Sequence, residues 1–358
     1  MIELFLRKRL LNIYRFFVQE HIMVNYNDIA RLAKVSPTTV SHVINETRFV
    51  MPETKRRVLE VMKKLKYQPN LLARSLATGK THTIGLVISD IRNPFYPELV
   101  QGVEELAVKN DYNVFLCNTD YDIEKGLKSI GALIKRKIDG IIVASSQVDS
   151  SIINQLMDTD VNFVLVDWGK RNVGVDSLYF DYRVGIAEAI SHLVSLKHRN
   201  IYFISGPKTL KTAKIRIRNF IDAVEKYRNV NLNYKIFEGD HKIEGGLKAA
   251  QKILKEKILP TAIVCSNDLT AIGAMKAFKA GGIKVPDDIS IIGLDNITLT
   301  EIVSPTLTTI ELERYRIGKT AMELLLNRIK DKKLPKQTYI FKTKLIVRES
   351  TSKRRNDN

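Results

Sequence analysis

The sequence predicts a multidomain protein, with a small all-α helix-turn-helix module ahead of an α/β body made of two parallel-sheet subdomains. Three observations predict it. Short amphipathic helices separated by a tight turn fill the stretch from Tyr26 to Tyr67. From Thr83 onward apolar strands alternate with amphipathic helices. That alternation breaks near Asp181 and then restarts. A length of 358 residues exceeds one typical domain and leaves room for this organisation.

The helical module is read first. "NDIARLA" forms one helix and a turn at Lys34 and Val35 follows it. In "SPTTVSHVINETRFV", Ser36 is an N-cap and Pro37 the first helical residue. Val40, Val43 and Ile44 share one face of that helix, while Thr38, Thr39, Ser41, His42, Asn45 and Arg48 occupy the others. Those polar residues are either an ordinary solvated surface or donors and acceptors aimed at the edges of base pairs. "PETKRRVLEVMKKLKY" makes a third helix, with Val58, Val61, Met62 and Leu65 on one stripe. Residues 23–80 hold 11 Lys or Arg against 4 Asp or Glu, a net of +7 within a chain of net +18 and pI near 9.7. A basic excess concentrated in a small helical module suits a polyanion, most simply nucleic acid.

"NLLARSLATGKTHT" links this module to the body. Its "TGKT" lacks the first glycine of a phosphate-binding loop, because Arg74 stands there, and no apolar strand precedes it. The body then reads as strands "TIGLVISD", "NVFLCNTD", "GIIVAS" and "NFVLVDW", and after the break "IYFISG", "YKIFEGD", "AIVCSND" and "ISIIGLD", with helices between most of them. Such repetition implies parallel sheets covered by helices, with ligands bound at the carboxyl ends of the strands. Those ends carry Asp90 and Asn93, Asp167 and Trp168, Asp240 and His241, Asn267 and Asp268, and Asp295, with Arg216 just beyond a strand-end loop. Carboxylates, amides and one Arg beside Phe95, Tyr96 and Trp168 suit a polyol such as a sugar. The competing reading makes several of them helix caps, Asp268 and Asn296 above all.

Other classes are disfavoured. Cys117 and Cys265 lie far apart in apolar runs, so no disulfide framework or zinc site is expected, and they read as buried thiols in a reducing compartment. No metal site, cofactor or catalytic residue is expected: no GxGxxG, nucleophile elbow or HExxH occurs, and His192 and His198 read as surface residues. Residues 1–22 are apolar and basic without a small-residue cleavage site; they read as an appendage or misplaced start, with an amphipathic anchoring helix as the alternative. No stretch approaches the length of a membrane span, so a cytoplasmic location with no membrane partner is expected.

The motifs "IARLAKVSPTTVSHVIN", "ARSL", "NPFYPELVQGVE", "CSNDLTAIGAMKA", "VPDDISIIGLDN" and "SPTLTTIE" closely resemble the lactose-repressor (LacI/GalR-type) family of bacterial transcription regulators, from about Met23 to Glu349. "SHVINETRFV" and "VDWG" resemble its purine and ribose repressors, and "NPFYPELVQGVE", "LCNTD" and "GDHKIEGG" lean towards the ribose branch. The resemblance implies a periplasmic-binding-protein-like body and a homodimer that reads a pseudo-palindromic double-stranded DNA operator. It implies a helix-turn-helix domain over 23–69, a hinge helix and linker over 70–82, and a basic tail over 351–358. One effector-binding subdomain would comprise 83–182 and 314–341, the other 183–313 and 342–350.

On that mapping Pro37, Thr38, Thr39 and His42 face bases, Arg48 touches a base or phosphate, and Ser36 and Asn45 touch phosphates. Leu76 is the apolar wedge of the hinge in the minor groove. Asn93, Phe95, Tyr96, Asp167, Trp168, Arg216, Asn267 and Asp295 line the effector pocket. His241 joins them, standing where relatives place a Phe. The expected effector is ribose or a related pentose, with a purine base such as hypoxanthine or guanine as the alternative; a sugar-binding transport-type protein is the competitor from another class. Ribose-like relatives release DNA on binding sugar, whereas purine-like relatives bind DNA with their base. Lys34 departs from the Gly or Asn usual in the turn, Ala77 from a lysine after the hinge leucine, and Leu312 from a sugar-binding Gln. No leucine heptads follow Glu349, so a tetramerising coil is not expected.

Overall fold

A computed structural model describes residues 24–67, 75, 79–145, 150–169 and 174–354, in two compact units that divide at Thr81. The N-terminal extension and most of the hinge segment, including Leu76 and Ala77, lie outside the described residues.

The first unit contains helices α1 (Tyr26–Ala33), α2 (Pro37–Asn45) and α3 (Pro52–Lys64). Asn25 caps α1 in a reciprocal capping box with Asp28. Lys34 ends α1 in the left-handed region at φ 52°, the strain its replacement of Gly or Asn foretells. Ser36 caps α2 by accepting from the Thr39 amide at 3.0 Å, and Pro37 opens the helix. Ile29, Ala30, Ala33, Val40, Val43 and Val58 make the core, with Ile44, Val61, Met62 and Leu65 packed around it.

The second unit carries two six-stranded sheets. The first holds β1 (Thr83–Ile88), β2 (Asn113–Asn118), β3 (Gly140–Ala144), β4 (Asn162–Val166), β5 (Asp176–Asp181) and β11 (Thr338–Lys342), in the order β11-β5-β4-β3-β1-β2. The second holds β6 (Ile201–Ser205), β7 (Ile236–Glu238), β8 (Ala262–Cys265), β9 (Ser290–Asp295), β10 (Thr308–Glu311) and β12 (Lys344–Ile346), in the order β12-β10-β9-β8-β6-β7. All pairings are parallel except β10 with β12. The apolar runs expected as strands therefore form the sheets, and their helices cover them, as parallel pairing requires.

Four strands escape a reading by periodicity: β5, β10, β11 and β12. So does the helix Ser150–Met157 between β3 and β4. The last two strands show how the lobes are joined. The chain leaves the first lobe after β5, returns between β10 and helix Arg314–Lys330, and crosses again between β11 and β12 at Thr343. The Thr343 hydroxyl donates to the Asp181 carbonyl at 2.8 Å and accepts from the Gly185 amide at 2.9 Å, which ties two crossings together. A side chain at Gly185 would strike Ile310 and Thr343.

The histidines correct one expectation. His198 is buried rather than exposed, with Nε2 bonded to the Ser352 carbonyl at 3.0 Å and to Ser290 Oγ at 3.1 Å. His192 is half-buried, with Nε2 bonded to Thr351 Oγ1. Both are covered because residues 350–354 fold back over this lobe, the Arg354 amide reaching the Leu196 carbonyl. Cys265 is buried and Cys117 half-buried, and burial pushes both thiols up.

Candidate functional site

The polar face of α2 stands in the first unit as the spacing predicts. Pro37, Thr38 and Arg48 are exposed, and Thr39 and His42 half-exposed. Ser36 is exposed, but its hydroxyl is engaged by Thr39 through both amide and Oγ1. His42 Nδ1 hydrogen-bonds Thr47 Oγ1 at 2.8 Å, which fixes the ring against the loop that follows α2. Asn45 is half-buried and donates to Ser41 Oγ, so its amide runs along the helix.

In the second unit the strand ends of both lobes meet at a cleft lined by Asn93, Phe95, Tyr96, Tyr121, Asp167, Thr212, Arg216, His241, Asn267 and Asp295 over an apolar floor of Leu99, Ala144 and Val166. The cleft encloses about 510 Å³ of empty space, part of it open to solvent, within the range of small-molecule sites. The backbone is strained around it. Tyr121, Asp167, His241 and Asp295 take φ values of 60°, 49°, 62° and 123°, in the region that favours glycine.

Arg216 is the centre. It lies on α8 (Lys211–Glu225) of the second lobe, buried, with its guanidinium 4.5 Å above the Tyr182 ring. Nη1 donates to the Ser266 carbonyl at 2.6 Å and Nη2 to the Tyr182 hydroxyl at 2.8 Å. That hydroxyl in turn donates to Asp167 Oδ2 at 2.5 Å, so a chain of hydrogen bonds runs from Arg216 to the first lobe. Arg216 Nε is buried without a partner among the described residues. Burial pushes Asp167 up to about 6 against the pull of Arg216, and Asp295 is likewise raised by burial. Burial and the Arg216 charge drive His241 down to about 3, so its imidazole is neutral at pH 7. The ring sits where Gly206 lacks a side chain, since a Cβ there would lie 2.0 Å from Nε2.

Trp168 does not reach the cleft. The left-handed turn at Asp167 sends the next side chain into the core with Val87, Ile130 and Leu165, where the indole donates to the Tyr179 hydroxyl and Lys211 lies over the ring. Asn267 lines the cleft but spends its amide elsewhere. Its Oδ1 caps α10 (Asp268–Ala280) at Thr270, and its Nδ2 donates to the His241 carbonyl. Asp268, expected as the cap, instead accepts from the Ile297 amide and the Thr309 hydroxyl. Asn296 caps no helix; its side chain lies between Glu311 and Arg348. Asp90 is paired with Arg92, and Asp240 closes a turn at Lys242; neither lines the cleft. Tyr121, Thr212 and Tyr182 went unread in the sequence: Tyr121 lies just past the strand end at Asp120, Tyr182 follows β5, which periodicity does not reveal, and Thr212 stands in the first turn of the helix Lys211–Glu225.

Comparison with known proteins agrees with this geometry. Residues 25–70 match the family described as bacterial regulatory proteins, lacI family, and residues 81–349 match the periplasmic binding proteins and sugar binding domain of the LacI family. The chain is 38% identical over 332 residues to the HTH-type transcriptional repressor PurR of Aliivibrio salmonicida, covering 92% of this chain and all of that one. PurR of Pasteurella multocida is 37% identical, with 93% and 100% covered. The lac repressor dimer bound to operator and the anti-inducer ONPF superposes with a TM-score of 0.83 at 26% identity, covering 92% of this chain and 99% of that one. A LacI family regulator from Enterococcus faecalis with bound ribose gives a TM-score of 0.69 at 31% identity, covering 76% and 100%. A basic helix-turn-helix unit, a two-lobed body and matches along nearly the whole chain leave one assignment: this protein belongs to the LacI family of DNA-binding transcriptional repressors.

Proposed function

We propose that the protein acts as a homodimer whose grip on its operator is set by one small effector in the cleft, and that this effector is a purine base. The observation that carries the reading is the convergence of both lobes on a buried guanidinium whose Nε has no partner among the described residues, in a cleft walled by aromatic and polar side chains. Near-full-length identity to PurR repressors favours a purine over the pentose expected from the sequence. The walls support it. Phe95, Tyr96 and Tyr121 of the first lobe and the neutral His241 ring of the second offer flat surfaces, while Arg216, Asp167 and Asp295 offer edge donors and acceptors.

Ribose is the second reading. Carboxylates around an arginine suit vicinal hydroxyls, and a similar Enterococcus faecalis regulator was solved with ribose. The sign follows from which state the ligand prefers. A corepressor binds the DNA-competent state more tightly, an inducer the other. These side chains serve binding, with no catalytic step. A transport-type binding protein would leave the fused, basic helix-turn-helix without a task.

Titration calorimetry of the full chain with hypoxanthine, guanine and ribose tests the reading. Heat with a purine, lost in Arg216→Ala, is the expected result. Heat with ribose alone selects the second reading, and heat with none of the three overturns both.

A further inference from the structure

Arg314 opens helix α12 (Arg314–Lys330) where the chain returns from the second lobe to the first. It is buried, 5% exposed, and its guanidinium has two anchors. Within the first lobe Nε and Nη2 donate to the two carboxylate oxygens of Glu98 at 3.2 and 2.7 Å, on helix α4 (Phe95–Lys109). Beside the crossing Nη2 also donates to the main-chain carbonyl of Asn296 in the second lobe, at 2.8 Å.

Both ends of this bridge lie beside effector-facing groups. Asn296 directly follows Asp295, and the two residues hold consecutive positive φ values of 123° and 58°. Arg348 and Glu311 grip the Asn296 side chain from within its own lobe, at 2.9 and 3.3 Å, so Arg314 supplies the hold from the other side. Glu98 lies one turn beyond Phe95 and within a turn of Tyr96 and Leu99, all three in the cleft wall. Helices α4 and α12 are locked together: side chains at Gly102 and Gly318 would lie 2.2 Å from the Tyr315 carbonyl oxygen and 2.1 Å from that of Leu99. Tyr315 also donates to Glu105 at 2.5 Å. Asn296 is thus joined through Arg314 and Glu98 to the helix that carries the first-lobe wall.

We propose that Arg314 is a positioning residue that ties the Asp295–Asn296 strand end to α4, so that effector occupancy at Asp295 is transmitted through its guanidinium to the first-lobe wall of the cleft; this rests on the effector reading of the cleft. The charges agree with that placement. Arg314 pulls the raised Asp268 and Asp295 carboxyls down from a distance, as does Arg216 for Asp295, while Asp268 and Asp167 push Asp295 up.

The test uses the full chain with Arg314→Met, which keeps the aliphatic volume, Arg314→Lys, which keeps a charged donor, and the Arg314→Met/Glu98→Met pair, which also removes the half-exposed carboxylate that Arg314 holds. In the free protein, amide hydrogen exchange at 296–298 and at 95, 96, 98 and 99 is expected to speed up about tenfold or more in Arg314→Met, while 319–330 stays protected. Arg314→Lys restores most of the protection, and the double variant adds nothing to the single one. Unchanged exchange at 296–298, or acceleration spread evenly along 314–330, overturns the proposal, since the latter marks a merely structural residue.

Operator affinity with and without hypoxanthine, and with and without ribose, supplies the second readout. The ratio is expected to collapse towards one in Arg314→Met while probe affinity stays within about threefold. A preserved ratio overturns the proposal. A parent protein that responds to neither probe overturns the effector reading instead, and the exchange experiment still decides the role of Arg314.

Discussion

Asp167 shows how one residue joins backbone strain, buried charge and the cleft wall. Its left-handed backbone aims the carboxyl at the Tyr182 hydroxyl and turns Trp168 the other way. Because burial raises its pKa to about 6, the fold favours the protonated form. Its contribution to stability is thus full below the ordinary carboxylate value of about 4 and is lost as pH rises through about 6. Asp167→Asn keeps the acceptor for Tyr182 and removes the buried charge. Its melting temperature is expected to exceed that of the parent at pH 7 and to match it near pH 4, measured by calorimetry across that range. Equal melting temperatures at both pH values would show that the carboxyl is not desolvated. The acidic and cationic cleft groups were legible as single residues, since strand ends announce themselves by a polar group after an apolar run. The fates of Trp168 and Asn267 were not, because side-chain direction there depends on a positive φ and on a cap that no spacing encodes. His198 was misread for a similar reason: the segment that buries it lies more than 150 residues away in sequence.

At the scale of elements, the pairing of α4 with α12 holds the cleft wall in place, and it depends on the missing side chains of Gly102 and Gly318. Gly102→Ala forces two backbones apart, at a cost of about 1–3 kcal/mol for an overpacked contact. Urea unfolding is expected to show that loss, together with weaker effector binding as Phe95 and Tyr96 shift. An unchanged midpoint would mean that the helices separate without penalty. Strands β1, β3, β6, β8 and β9 were legible because they are buried apolar runs. β5 reads "DSLYFD" and β10 "TTIE", mixed segments that are strands only because neighbours on both sides complete their ladders. β11 and β12 pair with strands far back in the chain, a non-local choice that periodicity does not record.

For the whole molecule, the division of labour follows the charge. The helix-turn-helix unit and its linker carry +7 of the chain's net +18 within residues 23–80, while the carboxyl groups of Asp167 and Asp295 meet Arg216 in the cleft of the body. Phosphate neutralisation by the first unit makes operator binding weaken steeply with salt. On the proposed effector reading, the cleft adds or removes affinity through the differential binding of its effector to two states. The most direct measurement is the equilibrium affinity of the full chain for a palindromic duplex selected from random DNA, with and without hypoxanthine. The account predicts a dissociation constant on the order of 10⁻⁸ M or tighter at moderate salt, well below that for unselected DNA, and a shift of about tenfold or more with the purine. Equal affinity for selected and unselected duplexes, or an affinity indifferent to both hypoxanthine and ribose, would contradict it.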